Sequence, residues 1–382
     1  MPAVPTAVRA ALPSLAHVAY LNTGGAGPLP RAAAEAIAEA LERSLGAPRM
    51  SYAAAMAADA RRGELRAAVG RVLGAPADEI ALTESSTAAM NVVIWGLDWR
   101  PGDELVTTNL EHPGLSVPLA VAARRRGLRL RVLDLVDGDE DLQAAVSRVA
   151  TPRTRLVAIS HVCWRTGARV DVEGAALAAH DAGALLLVDG AQGAGAVPTD
   201  PRALGADAYA LAGQKWLLGP EGLGALWVAP EAMERIDLTA SGYESGTGHT
   251  PHGEVVLHAG ARRYEVSTKP DLLVPGWLAS LAWLEGLGWD WVHERTRAAA
   301  ASARARLAAI AGVRVLTPPG SSGGLVTFTV DGADPVAASD ALAAAGVILR
   351  WVPQPRALRV SAGFFTDEGD LERLAEGVRA LR

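Results

Sequence analysis

Cysteine is almost absent from this chain of 382 residues, and Cys163 is the only one. A single thiol excludes an intrachain disulfide and any cysteine-built metal cluster. Long apolar runs are missing as well. No stretch reaches the roughly 18–20 residues that a membrane-spanning helix needs, so no membrane partner is expected. Nor is there an excess of positive charge: the net charge is −6, which gives no general drive toward nucleic acid or an anionic bilayer. The amino terminus, "MPAVPTAVRAALPSLAHVAYLN", has no charged region followed by an apolar core, so no leader is read there and a cytoplasmic location is expected. No internal repeat is visible. Half of the residues are hydrophobic and a fifth charged, the balance of a globular chain, and the length suits two lobes.

Short β-rich runs alternate with alanine-rich amphipathic segments. Helices are expected over 31–45, 62–74, 86–97, 114–125, 140–149 and 172–182, and strands over 79–85, 104–109, 128–135, 154–162, 184–190, 207–213 and 224–229. Such alternation predicts an α/β fold with a mostly parallel sheet covered on both faces. After about residue 270 the pattern changes. A helical stretch runs from near Trp277 to Ala311, broken near Gly288, and is followed by short strands and helices at 334–345 and 368–381, as in a smaller α+β lobe. The segments 240–260, which holds Tyr243, His249 and His252, and 317–324 read as loose; loops of this kind often serve as lids or binding loops.

Polar residues collect where strands end, the place where such sheets bind ligands. In "YALAGQKWLLGPEGLGAL" (209–226) one lysine, Lys215, interrupts an uncharged run. Its amine either snorkels to water along its stem or sits desolvated, neutral and ready to form a Schiff base. "LLLVDGAQGAGAVPTD" (185–200) has the wrong glycine spacing for a dinucleotide fingerprint, and Pro198 stands where a helix should open. What remains is Asp189 at a strand end, either a turn acid or a buried carboxylate that needs a cation. "TESSTAAMN" (83–91) puts Ser85, Ser86 and Thr87 at a helix start, an ordinary cap or a phosphate cradle. "NLEHPG" (109–114) leaves His112 in a loop, where it could stack on an aromatic ring.

Taken together, in that order along the chain, these residues resemble the pyridoxal-phosphate enzymes of fold type I, in the class V aminotransferase and cysteine desulfurase family. The likeness runs from "YLNTGGAGPLP" (20–30) to "LRVSAGFFTDEGDLERL" (358–374), and its most specific parts are "VDGAQ" and "GQKWLLGPEGLGAL". It implies a large domain (16–270) with a mostly parallel seven-stranded sheet, a smaller α+β domain (271–382), and an N-terminal segment (1–15) packed on the latter. It implies pyridoxal 5'-phosphate as cofactor, Lys215 as the Schiff-base lysine and proton carrier, Asp189 on the pyridine nitrogen, Gln192 on the phenolic oxygen and His112 over the ring. Ser86 and Thr87 would hold the phosphate. The segment "RYEVST" (263–268) nominates Thr268 as a phosphate ligand from a second subunit, hence a homodimer. Gln214 stands where many relatives have histidine.

For the amino-acid substrate, the resemblance nominates Arg359 for the carboxylate, Arg350 as a helper, and Asn22, Thr23, Gly24 and Arg165 around it. A desulfurase needs a cysteine in the C-terminal half to accept sulfur, and none follows Cys163. The segments "ISHVCWRTG" and "VILRWVPQPRALRVSAGFFTDEGDLERL" look most like cysteine/cystine C–S lyases, which implies β-elimination from L-cystine, L-cysteine or an S-substituted cysteine to pyruvate, ammonia and a sulfur product. Amino transfer or epimerisation with the same cofactor residues, or cofactor binding without catalysis, are the alternatives. Arg165 departs from the neutral amide usual in those lyases.

Overall fold

The computed structural model describes residues 4–49, 51–135, 141–321 and 323–381. Position 140 of the expected helix 140–149 and position 322 of the segment 317–324 lie outside the described residues, as do the first three residues of the N-terminal segment. Seven strands form the main sheet in the order Ile80–Thr83, Gly224–Val228, Ala208–Ala212, Leu185–Asp189, Thr154–Ser160, Glu104–Thr108, Arg129–Leu133. Gly224–Val228 alone runs antiparallel to its neighbours, so the expected mostly parallel sheet is present. Its inner strands are apolar on both faces because helices such as Ser86–Gly96, Pro113–Arg126 and Val172–Asp181 cover them. The outer strand Arg129–Leu133 is largely exposed and carries Arg129 and Arg131, charges that discourage pairing with another chain at a sheet edge. Six parallel strands end at one rim, at Thr83, Thr108, Leu133, Ser160, Asp189 and Ala212.

A second sheet of four antiparallel strands, in the order Val313–Val315, Leu325–Val330, Arg356–Ser361, Arg350–Pro353, has a core of its own around Phe328, Leu358, Leu371 and Leu374. The N-terminal segment joins both regions. Val8, Leu12 and Leu15 pack with Leu218, Leu284, Val292 and the pair Phe364–Phe365, and Arg9 pairs with Asp370 at 2.6 Å. Ala19–Tyr20 then pairs with Val347–Ile348.

Three expectations need revision. The helix expected over 62–74 spans Tyr52–Leu73, since the alanine-rich stretch before it propagates from a Ser51 cap whose hydroxyl accepts the Ala54 N–H. The helix Val274–Leu287, read from sequence as the start of the smaller lobe, lies with Trp277 and Leu281 in the larger core. The segment 240–260 is not wholly loose: Gly246–His249 and Val255–Leu257 form an antiparallel ribbon that turns through Gly253 at φ 91°. Among the described residues, no helix is long and apolar enough to cross a membrane.

Candidate functional site

At the rim where the parallel strands end lies a cavity of about 240 Å³. Asp189 reaches it from its strand end, buried, with Oδ1 accepting the Ala191 N–H at 2.9 Å. Burial raises its pKa, and the charge of Lys215 works against that rise. A buried carboxylate in that state favours a cationic partner. Lys215 faces it from the turn after Ala208–Ala212. Burial brings the amine down to about 8, Asp189 opposes this, and Arg359 and Arg350 add to it. The turn is tightly made: Leu218 holds φ 53°, a left-handed conformation that a leucine adopts only under constraint. Gly27 donates its N–H to the Gln214 carbonyl at 2.7 Å. A Cβ on Gly27 would stand 2.3 Å from the Lys215 carbonyl oxygen, so glycine is what lets the N-terminal loop lie on the lysine turn.

One wall is a helix start. Ser85 is occupied as the cap of Ser86–Gly96, its Oγ accepting the Ala88 N–H at 3.1 Å. Ser86 and Thr87, the first two residues of the helix, line the cavity with hydroxyls and first-turn amides, a donor set suited to phosphate. His112 caps the neighbouring helix Pro113–Arg126, with Nδ1 accepting the Gly114 N–H at 3.0 Å. Its proton is therefore assigned to Nε2. Burial, then the charges of Lys215 and three arginines, bring its pKa down to about 4, so the ring is neutral near pH 7. Gln192 is held from two sides: Nε2 donates to the Gly24 carbonyl at 2.8 Å and Oε1 accepts from Trp216 Nε1 at 2.9 Å. Gln214 lines the same cavity.

The opposite wall comes from the smaller sheet. Arg359 is 0% exposed. Its Nη1 donates to the Trp164 carbonyl at 2.7 Å, while Nε and Nη2 are buried without an acceptor. Burial, reinforced by Arg350, lowers its pKa to about 9. Asn22 Oδ1, Thr23 Oγ1 and Ser361 Oγ are also buried and unpartnered close by along the chain that pairs with Ser361. A carboxylate entering beside Arg359 would meet two free donors in fork geometry. Arg350 lines the cavity, and so does Gly24, where a Cβ would come within 2.9 Å of Gln192 Oε1 and Ser361 Oγ.

Four nominated residues are not part of the cavity lining: Asn22, Thr23, Arg165 and Thr268. Arg165 is outside the cavity lining, beside Trp164. Thr268 is exposed and hydrogen-bonds the Tyr243 hydroxyl. Three others are brought to the site without having been singled out from sequence: Trp164, Ser160 and Glu111. Trp164 lines the cavity with its ring edge-on to His112, centroids 4.8 Å apart. Glu111 lies behind the lining, taking hydrogen bonds from Thr108 Oγ1 at 2.6 Å and from the Ser160 hydroxyl. Their signal is position alone: Ser160 ends a strand of the rim, and Glu111 and Trp164 follow such strands by a few residues.

Compared with known proteins, residues 19–374 match the profile described as aminotransferase class-V. The chain belongs to this family. Among class V relatives, a protein of Pseudomonas aeruginosa named probable cysteine desulfurase is 37% identical over 78% of this chain and 77% of its own. The isopenicillin N epimerase of Streptomyces clavuligerus is 32% identical over 95% of both chains. Two solved structures of C-DES superpose closely. One, a variant with glycine covalently linked to the PLP cofactor, has TM-score 0.93 at 29% identity and covers 99% of this chain and 100% of that one. The other is described as the cystine C–S lyase C-DES with its reaction product cysteine persulfide, with TM-score 0.92 at 30% identity over 97% of this chain and 99% of that one. The protein is accordingly a fold type I class V enzyme whose cofactor is pyridoxal 5'-phosphate. The buried carboxylate, the depressed lysine and the helix-start donor set fit that group.

Proposed function

We propose that the protein is a carbon–sulfur lyase that eliminates the sulfur substituent of L-cystine, L-cysteine or a related S-substituted cysteine. The Cβ–S bond breaks, and the three-carbon remainder takes up water and leaves as pyruvate and ammonia. The observation that carries this reading is the state of the single thiol. Cys163 is 1% exposed, its Sγ lies 3.9 Å from the Leu110 carbonyl, and burial pushes its pKa up. A sealed, protonated thiol cannot take sulfur from a substrate, which disfavours a desulfurase role despite the likeness to desulfurases.

The bound cofactor supplies an electron sink for the pair released at the substrate Cα. The chain does the rest. Lys215 Nζ would hold the cofactor and carry the Cα proton, a task suited to an amine whose pKa burial brings down to about 8. Asp189 keeps positive charge opposite its carboxylate, Ser86 and Thr87 take the phosphate, Gln192 offers its second amide hydrogen, and neutral His112 covers the site without adding charge. Arg359 orients the substrate carboxylate. The working unit is proposed to be a homodimer. In support, Thr268 is exposed, and Val255 and Val256 are 60% and 63% exposed on the nearby ribbon, apolar surface that a second copy would cover.

Purified, cofactor-loaded enzyme given L-cystine without any keto acid should release pyruvate and ammonia in equal amounts over many turnovers, and Lys215→Ala should not. Epimerisation is the second reading, favoured by the likeness to the Streptomyces enzyme across 95% of the chain. It would show as exchange of the Cα hydrogen with solvent while the Cβ–S bond survives.

A further inference from the structure

Three guanidinium groups meet at Trp164. Arg165 Cζ lies 5.7 Å and Arg350 Cζ 5.9 Å from the centre of its ring, and Arg359 donates to its carbonyl oxygen. Among the described residues, none of the three forms an ion pair with a carboxylate. Partly buried arginines elsewhere are treated differently: Arg62 pairs with Asp271 and Glu244, and Arg66 with Glu265. Like charges gathered without an anion repel one another and keep unpaid desolvation, so the wall is unbalanced as the chain alone builds it. The donors left over are Arg359 Nε and Nη2, Arg165 Nε and Trp164 Nε1, all buried without a partner. The cluster reaches the cavity through Arg350, Arg359 and Trp164, which line it, while Arg165 stands outside the lining against Trp164.

One α-carboxylate satisfies Arg359 and leaves Arg350 and Arg165 without a counter-charge. We propose that the Trp164 wall is a second anion subsite, and that the preferred substrate is an amino acid whose side chain ends in a carboxylate or sulfonate with no ammonium beside it. The inference rests on the reading that this cavity binds an amino acid, and it narrows that reading. L-Cystine brings a distal ammonium toward three cations and should be bound less well than an S-substituted cysteine whose far end is purely anionic.

The test compares S-carboxymethyl-L-cysteine with S-carbamoylmethyl-L-cysteine, which match in size and differ in one charge. Binding to the holoenzyme is read from the change in cofactor absorbance, with or without turnover. The acid should bind at least tenfold more tightly than the amide, the scale of one charge-assisted hydrogen bond (about 10- to 100-fold). Arg350→Gln should reduce that ratio about tenfold, and Arg350→Lys should keep much of it, as expected for a charge-assisted contact. Because the ratio is taken within each variant, general damage to the fold cannot imitate the result. Equal binding of acid and amide by the wild-type enzyme would overturn the subsite, as would a ratio untouched by Arg350→Gln. Preference for the acid without any pyruvate would keep the subsite and remove the lyase reading; pyruvate from both at equal half-saturation would do the reverse.

Discussion

Replacing Arg359 with methionine should make the cofactor-free protein more stable while removing its grip on amino acids. Burial holds the guanidinium at about 9 against an ordinary 12.5. At about 1.4 kcal/mol for each tenfold, the folded state bears on the order of 5 kcal/mol for keeping that charge inside. Methionine follows the aliphatic stem of arginine without charge and leaves the place of the guanidinium only partly filled. Against this, the Trp164 carbonyl loses a donor 2.7 Å away, a loss of about 1–3 kcal/mol. The net expectation is a gain of roughly 1–4 kcal/mol, the range seen when buried charges are replaced by well-packed apolar groups. Urea unfolding of the cofactor-free protein at pH 7.5 measures it, free of ligand linkage. The pH dependence has a definite sign. Below about pH 9 arginine is charged in both states and the wild type bears the full penalty. Above it the folded state sheds its proton first, the unfolded chain holds more protons, and wild-type stability rises toward that of the variant. A variant less stable than wild type by more than about 1 kcal/mol at pH 7.5 would refute the reasoning, because it would mean that the charge contributes more to the empty fold than its burial costs.

Capture of added pyridoxal phosphate by the cofactor-free protein should speed up about tenfold per pH unit until pH 8 and then level off, since only the neutral amine attacks and Lys215 sits at about 8; a rate independent of pH between 6.5 and 9 would contradict this. Burial lifts Glu111 from 4.5 to about 7, so the wild type loses stability as pH rises from about 4.5 to 7. Glu111→Gln should therefore gain on it by up to about 3 kcal/mol between pH 4.5 and 8 in urea unfolding, whereas a constant difference would rule out an ionising Glu111. A Cβ at Gly190 would stand 1.9 Å from Tyr209 Cε1, and Gly190→Ala should cost about 2 kcal/mol or more through overpacking; an unchanged urea midpoint would show that the tyrosine yields freely.

The larger sheet is legible from sequence because its strands are unbroken apolar runs with polar punctuation. "ALLLVDG" (184–190) appears as Leu185–Asp189, and "TRLVAISHV" (154–162) as Thr154–Ser160. Lys215 and Asp189 stand out for the same reason, as single charges at the ends of such runs. Glu111 and Trp164 do not stand out. Glu111 hides in a polar loop, and only the fold shows that Thr108 and Ser160 close over it. Trp164 is one of ten tryptophans, and its place is decided by contacts with Val352 and Ala357, nearly two hundred residues later. The allegiance of Val274–Leu287 is likewise a matter of which surfaces meet, and a helical period does not say which partner a face will choose.

The loop from Asn22 to Gly27 is tied at one end to Ser361 in the smaller sheet and at the other to Gln214 beside the lysine. Arg359 belongs to one core and Lys215 to the other. An amino acid engaged by both would work as a strut between the two sheets. By mass action it adds about 2.7 kcal/mol at a hundredfold excess over its Kd, and that increment resists separation of the halves as much as unfolding of either one.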